Sequence, residues 1–580
     1  MFIWAEDAQN ILKSICWYAL HTFSVYRAAC LLAGCSLAVS AFAVPFDASL
    51  ADQELLRQQE RDRLRQEQQQ AAPDVRLPRD VSVLPDYPSD EQPCFPIRRL
   101  VLEGELSATF QWALEAAQDA KQRCLGAKGV NLVMQKVQNV LISRGFVTSR
   151  VFVRPQDLAS GTLTLTMVPG RIHSIRFADP VTARARWFNA MPARPGDVLN
   201  LRDIEQALEN FKRVPALDAD IQIEPATEEG QSDLVIAWRE SRPVRLGLSL
   251  DDGGSRATGR YQGNVSVSLD NLLTLDDLFS LSLGKDLFQD QPLGSRSWAV
   301  NYSIPFGYWQ LGGAYSHYRY FQQIAGANET YIYRGDSENS QLFLSRVLYR
   351  DNAHKTTLSL RGYQRKSRNF VDDTEIQIQH RQTAGWELGL NHRAYLGHNT
   401  LDASLTWRHG TGALGALPAP EEASGDGSSR PSIVLSDVSL TVPFKLGSQN
   451  GRYSALVRGQ WSKGPLAAQD RFAIGGRYTV RGFDGELSLS SERGWLWRNE
   501  LAWALGRSGQ EGYLGLDAGR VYGQGAAYLR GRQLAGCALG LRGVLMQNVS
   551  YELFTGWPIV KPAGFDTATT TAGFNLNLQF

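Results

Sequence analysis

From Arg242 to the C-terminus, apolar and polar residues alternate with a period of two, and this pattern constrains the fold most. In "GWLWRNELAW" the apolar positions Trp495, Trp497, Leu501 and Trp503 share one face, and Arg498 and Glu500 share the other. Side chains of a β-strand point alternately to its two faces. Aromatic residues facing out and charges facing in are typical of a membrane barrel with a wet lumen. Residues 242–580 therefore predict a transmembrane antiparallel β-barrel of about 16 strands, at roughly 21 residues per strand and turn.

The composition agrees with a strand-built membrane protein in more than one domain. At 580 residues the chain exceeds one ordinary domain. A net charge of +1 with 21% charged residues argues against nucleic-acid binding, while aromatic residues reach 10%. Beyond the N-terminus no uncharged run is long enough for a membrane helix. A soluble β-structure is the alternative interpretation.

The N-terminus has the pattern of a secretory signal over residues 1–43. Arg27 precedes the apolar run "AACLLAGCSLAVSA", which ends in Ala41-Phe42-Ala43. An uncleaved anchor helix and a lipoprotein-like box at Leu32-Ala33-Gly34-Cys35 are the two alternatives. Export from the cytoplasm is the prediction.

A polar helix is expected over residues 44–72. Its Leu, Glu, Gln and Arg residues favour helix, Pro73 ends it, and its apolar residues are few. A helix that is polar nearly all round lies either free in solvent or in a polar cavity. Residues 73–93, with five prolines, predict an extended linker.

Residues 94–241 contain one pattern twice, which predicts two βααββ modules over 94–170 and 171–241. The first runs from "IRRLVLEG" through two helical stretches to "FVTSRVFV" and "GTLTLTMV". The second opens with "RIHSIRF", places Ile204, Leu208 and Phe211 on one helical face, and closes with "ADIQIEP" and "SDLVIAW". Neither module contains a group of residues typical of a catalytic site. Such modules bind extended peptides at a sheet edge or helix groove.

Three cysteines follow the predicted signal, and two of them flank the first module's opening strand and helix. We expect Cys94 and Cys124 to form a disulfide in an oxidising compartment, with two buried thiols as the alternative. Nothing in the sequence resembles a metal cluster, and Cys537 lies outside the predicted disulfide.

Two further stretches resemble parts of known outer-membrane proteins. The chain ends on "TAGFNLNLQF", where Phe574, Leu576, Leu578 and Phe580 alternate with polar residues. This strand resembles the signal that outer-membrane barrels present to their assembly machinery. "GGRYTVRGFDGE", residues 475–486, places one arginine between apolar residues in a glycine-rich turn.

Together these stretches resemble the two-partner secretion transporters, the hemolysin secretion/activation family of the outer-membrane assembly-factor superfamily. The resemblance covers nearly everything after the signal. It is carried by Cys94-Phe95-Pro96-Ile97, "VPGRIHSI", "LRDIEQALENFKRVP", "DDGGSRATG" and Val480-Arg481-Gly482-Phe483.

The resemblance implies a role for each part of the chain. The two modules would be periplasmic POTRA (polypeptide-transport-associated) modules, and the polar helix would plug the barrel. The motif Val480, Arg481, Gly482 and Phe483 would lie at the tip of a loop folded into the lumen. There Arg481, a rigid fork of donors, would meet an acid on the barrel wall, Asp517 or its rival Glu500.

The resemblance also implies the function. An outer-membrane translocator would secrete a large partner exoprotein, of the hemolysin, adhesin or contact-dependent toxin type, from the periplasm to the cell surface. The POTRA modules would recognise the exoprotein's N-terminal secretion domain. Its other partners would be membrane lipids and the barrel assembly machinery, with no nucleic acid. We expect no cofactor, no metal and no catalytic residues. The alternatives are an assembly insertase and a diffusive porin.

Overall fold

The computed structural model describes residues 53, 54, 56–61, 63, 74–77, 84–180, 184–288, 293–325, 328–546 and 548–580. The predicted secretory signal over 1–43 lies outside these residues. Among the helices that are described, none is long and apolar enough to cross a membrane.

The C-terminal part is a closed antiparallel barrel of 16 long strands, as the alternation predicts. In chain order the strands are β9 (Val244–Asp251), β10 (Gln262–Asp270), β11 (Leu278–Asp286), β12 (Gly294–Phe306), β13 (Trp309–Ala325), β14 (Thr330–Arg350), β15 (His354–Val371), β17 (Arg381–Leu396), β18 (Asn399–Thr411), β19 (Ser432–Leu446), β20 (Gln449–Ser462), β23 (Arg493–Ala504), β24 (Gln510–Tyr522), β25 (Gln533–Met546), β26 (Val549–Val560) and β27 (Thr571–Gln579). The two-residue strand β16 (Thr374–Glu375) pairs with the end of β15. A hairpin of β21 (Phe472–Ile474) and β22 (Leu489–Ser491) lies within the β20–β23 loop.

The barrel closes by pairing its first and last strands. Leu250 and Leu248 of β9 lie opposite Leu576 and Leu578 of β27. Backbone hydrogen bonds between Leu246 and the terminal Phe580, at 3.0 and 2.9 Å, extend this seam. Because closure leaves no free sheet edge, every backbone group of the seam that faces lipid can be paired.

The outward face of the strands is apolar, as a membrane-spanning barrel requires. Leu342 is 71% exposed, and the other large exposed side chains of the middle strands include Leu283, Trp298, Leu311, Leu344, Leu360, Leu388, Leu390, Leu405 and Trp407. The prediction of aromatic and apolar residues facing outward is confirmed.

The first predicted POTRA module packs two helical segments against a three-stranded sheet. Its elements are β1 (Phe95–Pro96), β2 (Arg99–Gly104), α1 (Ser107–Phe110), a 3₁₀ segment (Gln111–Ala120), β3 (Cys124–Leu125), α2 (Ala127–Ser143), β4 (Arg150–Phe152) and β5 (Thr162–Val168). The sheet order is β2-β5-β4. Val133, Val137 and Leu141 of α2 are fully buried in its core, because residues three and four apart share one helical face.

A disulfide joins Cys94 to Cys124 with a Cα–Cα distance of 5.2 Å. It lies beside the short β1–β3 pair, where Pro96 is opposite Cys124. The bridge therefore ties the start of the module to strand β3, which precedes α2. Cys537 is buried in β25, far along the chain from this pair.

The second predicted POTRA module differs from the βααββ pattern at its first helix. Its elements are β6 (Arg171–Phe177), α3 (Leu201–Lys212), β7 (Leu217–Pro225) and β8 (Gln231–Glu240), with sheet order β6-β8-β7. Between β6 and α3, the described residues 184–200 form turns rather than a helix. Pro192 and Pro195 explain this, because proline lacks the amide donor that a helix interior needs.

Helix α3 also joins the module to one rim of the barrel. Glu209 of α3 accepts hydrogen bonds from Arg350, at 2.9 Å, and from Lys355. Asp203 accepts one from the Tyr308 hydroxyl at 2.6 Å. Since the turns that carry Arg350 and Tyr308 lie at the same end of the barrel, this contact marks the end that would face the periplasm if the resemblance holds.

The remaining described elements are short. Five further 3₁₀ segments occur at Leu158–Ser160, Gln377–Gln379, Pro420–Glu422, Ala468–Asp470 and Gly525–Tyr528. Residues 53, 54, 56–61 and 63 are helical. We call these nine residues the plug residues.

Candidate functional site

The long loop between β20 and β23 folds back into the barrel instead of extending away from it. Its hairpin β21–β22 forms the stalk, and Val480 and Phe483 near its tip are buried. These two side chains belong to an apolar cluster whose other buried members are Phe472, Ile474, Leu489, Leu496, Val521, Leu534 and Phe565. The loop tip is therefore held by packing against strands β23, β24 and β25.

Gly482 lets the loop tip approach the wall. Its φ is +100°, and a Cβ atom there would lie 2.3 Å from the backbone oxygen of Trp557. On the wall side, a Cβ at Gly536 would lie 2.0 Å from the backbone oxygen of Arg481. Both positions require glycine, because a side chain at either would push the loop off the wall.

Arg481 lies between these glycines and contacts both acids that the sequence offered as alternatives. Its Nε and Nη2 donate to the Asp517 carboxylate at 2.7 and 2.9 Å, and its backbone amide donates to the same group at 2.9 Å. Its Nη1 donates to Glu500 at 2.7 Å. One planar guanidinium can reach two carboxylates because its donors point in several directions.

The pair with Asp517 is the more buried of the two contacts. Arg481 is 5% exposed and Asp517 is 4% exposed. Burial lowers the pKa of the Arg481 guanidinium, but its hydrogen bonds and charge interactions with Asp517 and Glu500 outweigh burial and raise that pKa. The arginine is therefore charged at every physiological pH.

Two more arginines surround this contact, and sequence reasoning did not assign them a role. Arg498 lies 3.8 Å from Asp517 and donates to the backbone oxygen of Tyr478 at 3.0 Å. Arg542 bonds Glu500 at 2.7 Å. The alternation of β23 had placed Arg498 on the lumen face, but the partner of a lumen residue depends on strand register, which the pattern does not fix.

A glycine on β24 makes room for the guanidinium. A Cβ at Gly515 would lie 2.5 Å from Cζ of Arg481. Gly515 is two residues before Asp517 on the same face of the strand. The sequence "YLGLDAGRVYG" thus supplies both the acid and the space beside it.

The plug residues lie in the lumen between the loop and the wall. Arg57 donates to the backbone oxygen of Gly485 in the loop at 2.6 Å. Glu54 accepts a hydrogen bond from Tyr318 of β13, Arg61 lies 3.8 Å from Asp251 of β9, and Glu60 lies 3.6 Å from Arg458 of β20. Strands β9, β13 and β20 are well separated around the barrel, so a helix that contacts all three lies inside it.

The other predicted site residues lie away from the lumen contact. Cys94 and Cys124 belong to the first POTRA module. Phe574, Leu576, Leu578 and Phe580 lie at the seam between β27 and β9, with Phe580 being 65% exposed. The structure therefore groups the motif 480–483 with Asp517 and Glu500, and separates it from the disulfide and the terminal strand.

Comparison with known proteins identifies the family. A family model described as haemolysin secretion/activation protein ShlB/FhaC/HecB matches residues 230–543. A POTRA domain of ShlB type matches residues 95–170, and a further POTRA domain matches 171–225. The chain belongs to the haemolysin secretion/activation family. The three matches follow one another along the chain in the order of the two modules and the barrel.

Relatives within the family resemble the chain over most of its length. The outer membrane transporter CdiB-2 of Burkholderia pseudomallei (strain 1026b) is 38% identical over 553 residues, or 91% of this chain and 94% of that protein. The hemolysin transporter protein ShlB of Serratia marcescens is 25% identical over 445 residues, or 75% of this chain and 77% of that protein. The solved structure of CdiB from Acinetobacter baumannii has a TM-score of 0.81 at 31% identity, and the match covers 92% of this chain and all of that one (100%).

Membership of the haemolysin secretion/activation family establishes the function in outline. The chain is a two-partner secretion transporter of the outer membrane, with its POTRA modules in the periplasm, and it exports a large partner exoprotein. The predictions of family, location and function are confirmed. The insertase alternative is not favoured, since these relatives are transporters.

Proposed function

We propose that export proceeds through the barrel lumen, and that the plug residues leave it when the exoprotein passes. The observation that supports this proposal is the position of Glu54, Arg57 and Arg61 among the strands and the β20–β23 loop. A polypeptide cannot share this lumen with a helix that contacts three sides of the wall. The helix therefore blocks the lumen, and secretion requires that the helix be displaced.

The contacts of the plug residues suit a removable closure. They are hydrogen bonds and ion pairs, with Leu56 as the one apolar side chain among the described plug residues that is buried. Polar contacts to a wet wall are exchanged for contacts to water at small net cost. An apolar helix would instead lose the free energy of its buried apolar surface when it left the lumen.

In the same proposal, the contact of Arg481 with Asp517 and Glu500 holds the loop to the wall while the plug residues move. Arg57 donates one hydrogen bond to a neutral group of the loop, the Gly485 backbone oxygen, whereas the Arg481 side chain donates three to two carboxylates. Arginine pairs with a carboxylate through parallel hydrogen bonds between opposite charges, which are among the strongest in proteins. The loop therefore stays docked when the weaker plug contact breaks.

The POTRA modules would capture the exoprotein's N-terminal secretion domain as an extended chain. The short strand β4 is an edge of the first module's sheet, and its Phe152 is 49% exposed. An edge strand with an exposed aromatic residue can pair with an extended segment by backbone hydrogen bonds. The chain is expected to act without enzymatic activity, and the assembly machinery would read the terminal strand with Phe580.

The proposal divides the chain into a signal over 1–43, a plug over 44–72, a linker over 73–93, POTRA modules over 94–170 and 171–241, and a barrel over 242–580. Deleting residues 44–72 should raise ion conductance in planar bilayers while secretion continues. Unchanged conductance would contradict occupation of the lumen by the plug.

A sharper test fixes the plug in place. The side-chain tips of Glu60 and Arg458 lie 3.6 Å apart, so cysteines at both positions can be joined by a thiol-reactive cross-linker that is long enough to replace the two side chains. Cross-linked Glu60→Cys/Arg458→Cys should stop secreting the partner exoprotein, while each single-cysteine variant treated in the same way should secrete normally. Continued secretion by the cross-linked protein would show that the exoprotein does not need the plug to leave.

A further inference from the structure

The outward face of strands β11 and β12 changes from apolar to basic within one step of the ladder. Leu283 and Trp298 face outward and are exposed. Two residues further along the same strands are Lys285 and Arg296, which are also exposed. Residues two apart on a strand point to the same face. Both basic side chains therefore face outward, directly beyond the apolar band.

Strand register continues this change around the barrel. Lys285 lies opposite Arg296, Arg296 opposite Arg319, Arg319 opposite Asp336, and Asp336 opposite Arg368. Side chains of paired residues project on the same side of a sheet. We call Lys285, Arg296, Arg319 and Arg368 the basic row.

The basic row lies at the extracellular end of the barrel. The opposite end carries the turns with Tyr308 and Arg350, which contact Asp203 and Glu209 of the second POTRA module. Strands β13 and β14 run from that end through 17 and 21 residues. A tilted strand needs about 9–11 residues to cross a bilayer. The extra length places the row in the headgroup layer of the outer leaflet.

The acids beside the basic row fix the position of its side chains without neutralising its positive charge. The buried Asp336 accepts hydrogen bonds from Nε and Nη2 of Arg319, at 3.0 and 2.7 Å, and from His317 at 2.7 Å. Arg319 is thereby fixed against the wall. Glu338 lies opposite the exposed Lys366 in the row below. The side chains named so far are five bases and two acids, so their net charge is positive.

We infer that the basic row binds the phosphate groups of a phosphorylated glycolipid of the outer leaflet. The charge is complementary, since arginine pairs with phosphate through two parallel hydrogen bonds. The position is complementary as well, because the lipid's acyl chains would lie against Leu283 and Trp298, one step below the row. A soluble anion would make no use of that apolar surface, so the row fits an anchored phosphate.

The inference can be tested with the full-length protein in detergent. The probe is a fluorescent, bis-phosphorylated, acylated disaccharide, with the same disaccharide lacking its phosphates as a second probe. The test variant is Arg296→Ser/Arg368→Ser. The control variant, Lys445→Ser/Arg507→Ser, removes two exposed charges at the periplasmic end. Heat-modifiable migration on a gel checks that each variant retains its barrel.

The expected result is that the test variant binds the phosphorylated probe about tenfold more weakly than the wild type, because basic groups near an anionic lipid each add to the attraction. The control variant should match the wild type, and the probe without phosphates should bind all three proteins equally. Equal weakening in both variants, or no weakening, would overturn the inference. So would displacement of the probe by inorganic phosphate at the probe's own concentration, since the row would then bind free phosphate.

Discussion

Replacing Arg481 with alanine removes the group that joins the β20–β23 loop to two acids on the wall. The side chain makes four hydrogen bonds: two to Asp517, one to Glu500 and one to the backbone oxygen of Asn499. Breaking a buried ion pair by removing one partner costs about 3–5 kcal/mol, because the remaining charge stays buried. The nearby cations reduce that cost, since Arg498 is 3.8 Å from Asp517 and Arg542 already bonds Glu500.

We therefore expect Arg481→Ala to cost about 3 kcal/mol, near the lower end of that range. A change of this size shifts the ratio of docked to undocked loop roughly a hundredfold. Secretion of the partner exoprotein should fall, and the loop should be cut faster by protease added outside the cell. The barrel should still migrate as a heat-modifiable band, because its strand ladder does not depend on the loop.

Two further variants distinguish the loss of the contact between Arg481 and its two acids from the mere loss of a positive charge. Arg256 lies in a different loop, between β9 and β10. Its side chain is 68% exposed and 3.9 Å from Glu486, so Arg256→Ala should secrete and resist protease like the wild type. Arg481→Lys should recover part of the function, since one ammonium cannot bond both acids as the guanidinium does.

A double-mutant cycle decides whether Arg481 acts through Asp517. Asp517→Ala should reproduce the defect of Arg481→Ala, and the double variant should be little worse than either single one, because both remove the same interaction. Fully additive defects would refute this pairing. Glu500 would then be the acid to test in the same cycle.

Three other outcomes are expected. Gly515→Ala should reproduce the loop defect of Arg481→Ala without changing any charge, because its Cβ would lie 2.5 Å from Cζ of Arg481; wild-type protease resistance would mean that the loop adapts. Deleting residues 94–241 should abolish secretion yet leave a heat-modifiable barrel, whereas continued secretion would contradict cargo recognition by the POTRA modules. Cys94→Ser/Cys124→Ser should lower the unfolding free energy of the first module by about 3–4 kcal/mol while secretion persists at low temperature; mass spectrometry that finds both thiols free in the wild type would remove the basis for this expectation.

The barrel could be predicted from the sequence because its determining pattern is local. Alternation within "GWLWRNELAW" assigns each side chain to the lipid or the lumen without knowledge of its neighbours. Strand register is different, since it joins residues far apart in the chain. Arg498 lies opposite Asp517 and Glu500 opposite Gly515, and only this register shows that Arg481 reaches both acids.

The second POTRA module shows the same limit. The helical face of Ile204, Leu208 and Phe211 was evident from spacing alone, and all three are buried. Nothing in the sequence indicates that the acids between them are buried, because a charged residue on a helix is usually solvated. In the structure Glu205 and Glu209 are buried against Arg350, which is more than a hundred residues away.

That junction also constrains how the plug can move. The linker residue Val75 donates its amide to Glu209 at 3.2 Å, Leu77 donates to Glu205 at 2.9 Å, and the Arg76 guanidinium lies 3.6 Å from the centre of the Tyr395 ring. Residues 74–77 are thus held between helix α3 and the rim of the barrel. An extended chain spans at most about 3.3–3.6 Å per residue, so the segment between residues 63 and 74 sets the reach of the plug. If the rim contacts persist, the plug can leave the lumen only toward the periplasm and must stay within that short tether. It can then return to the same lumen once the exoprotein has passed.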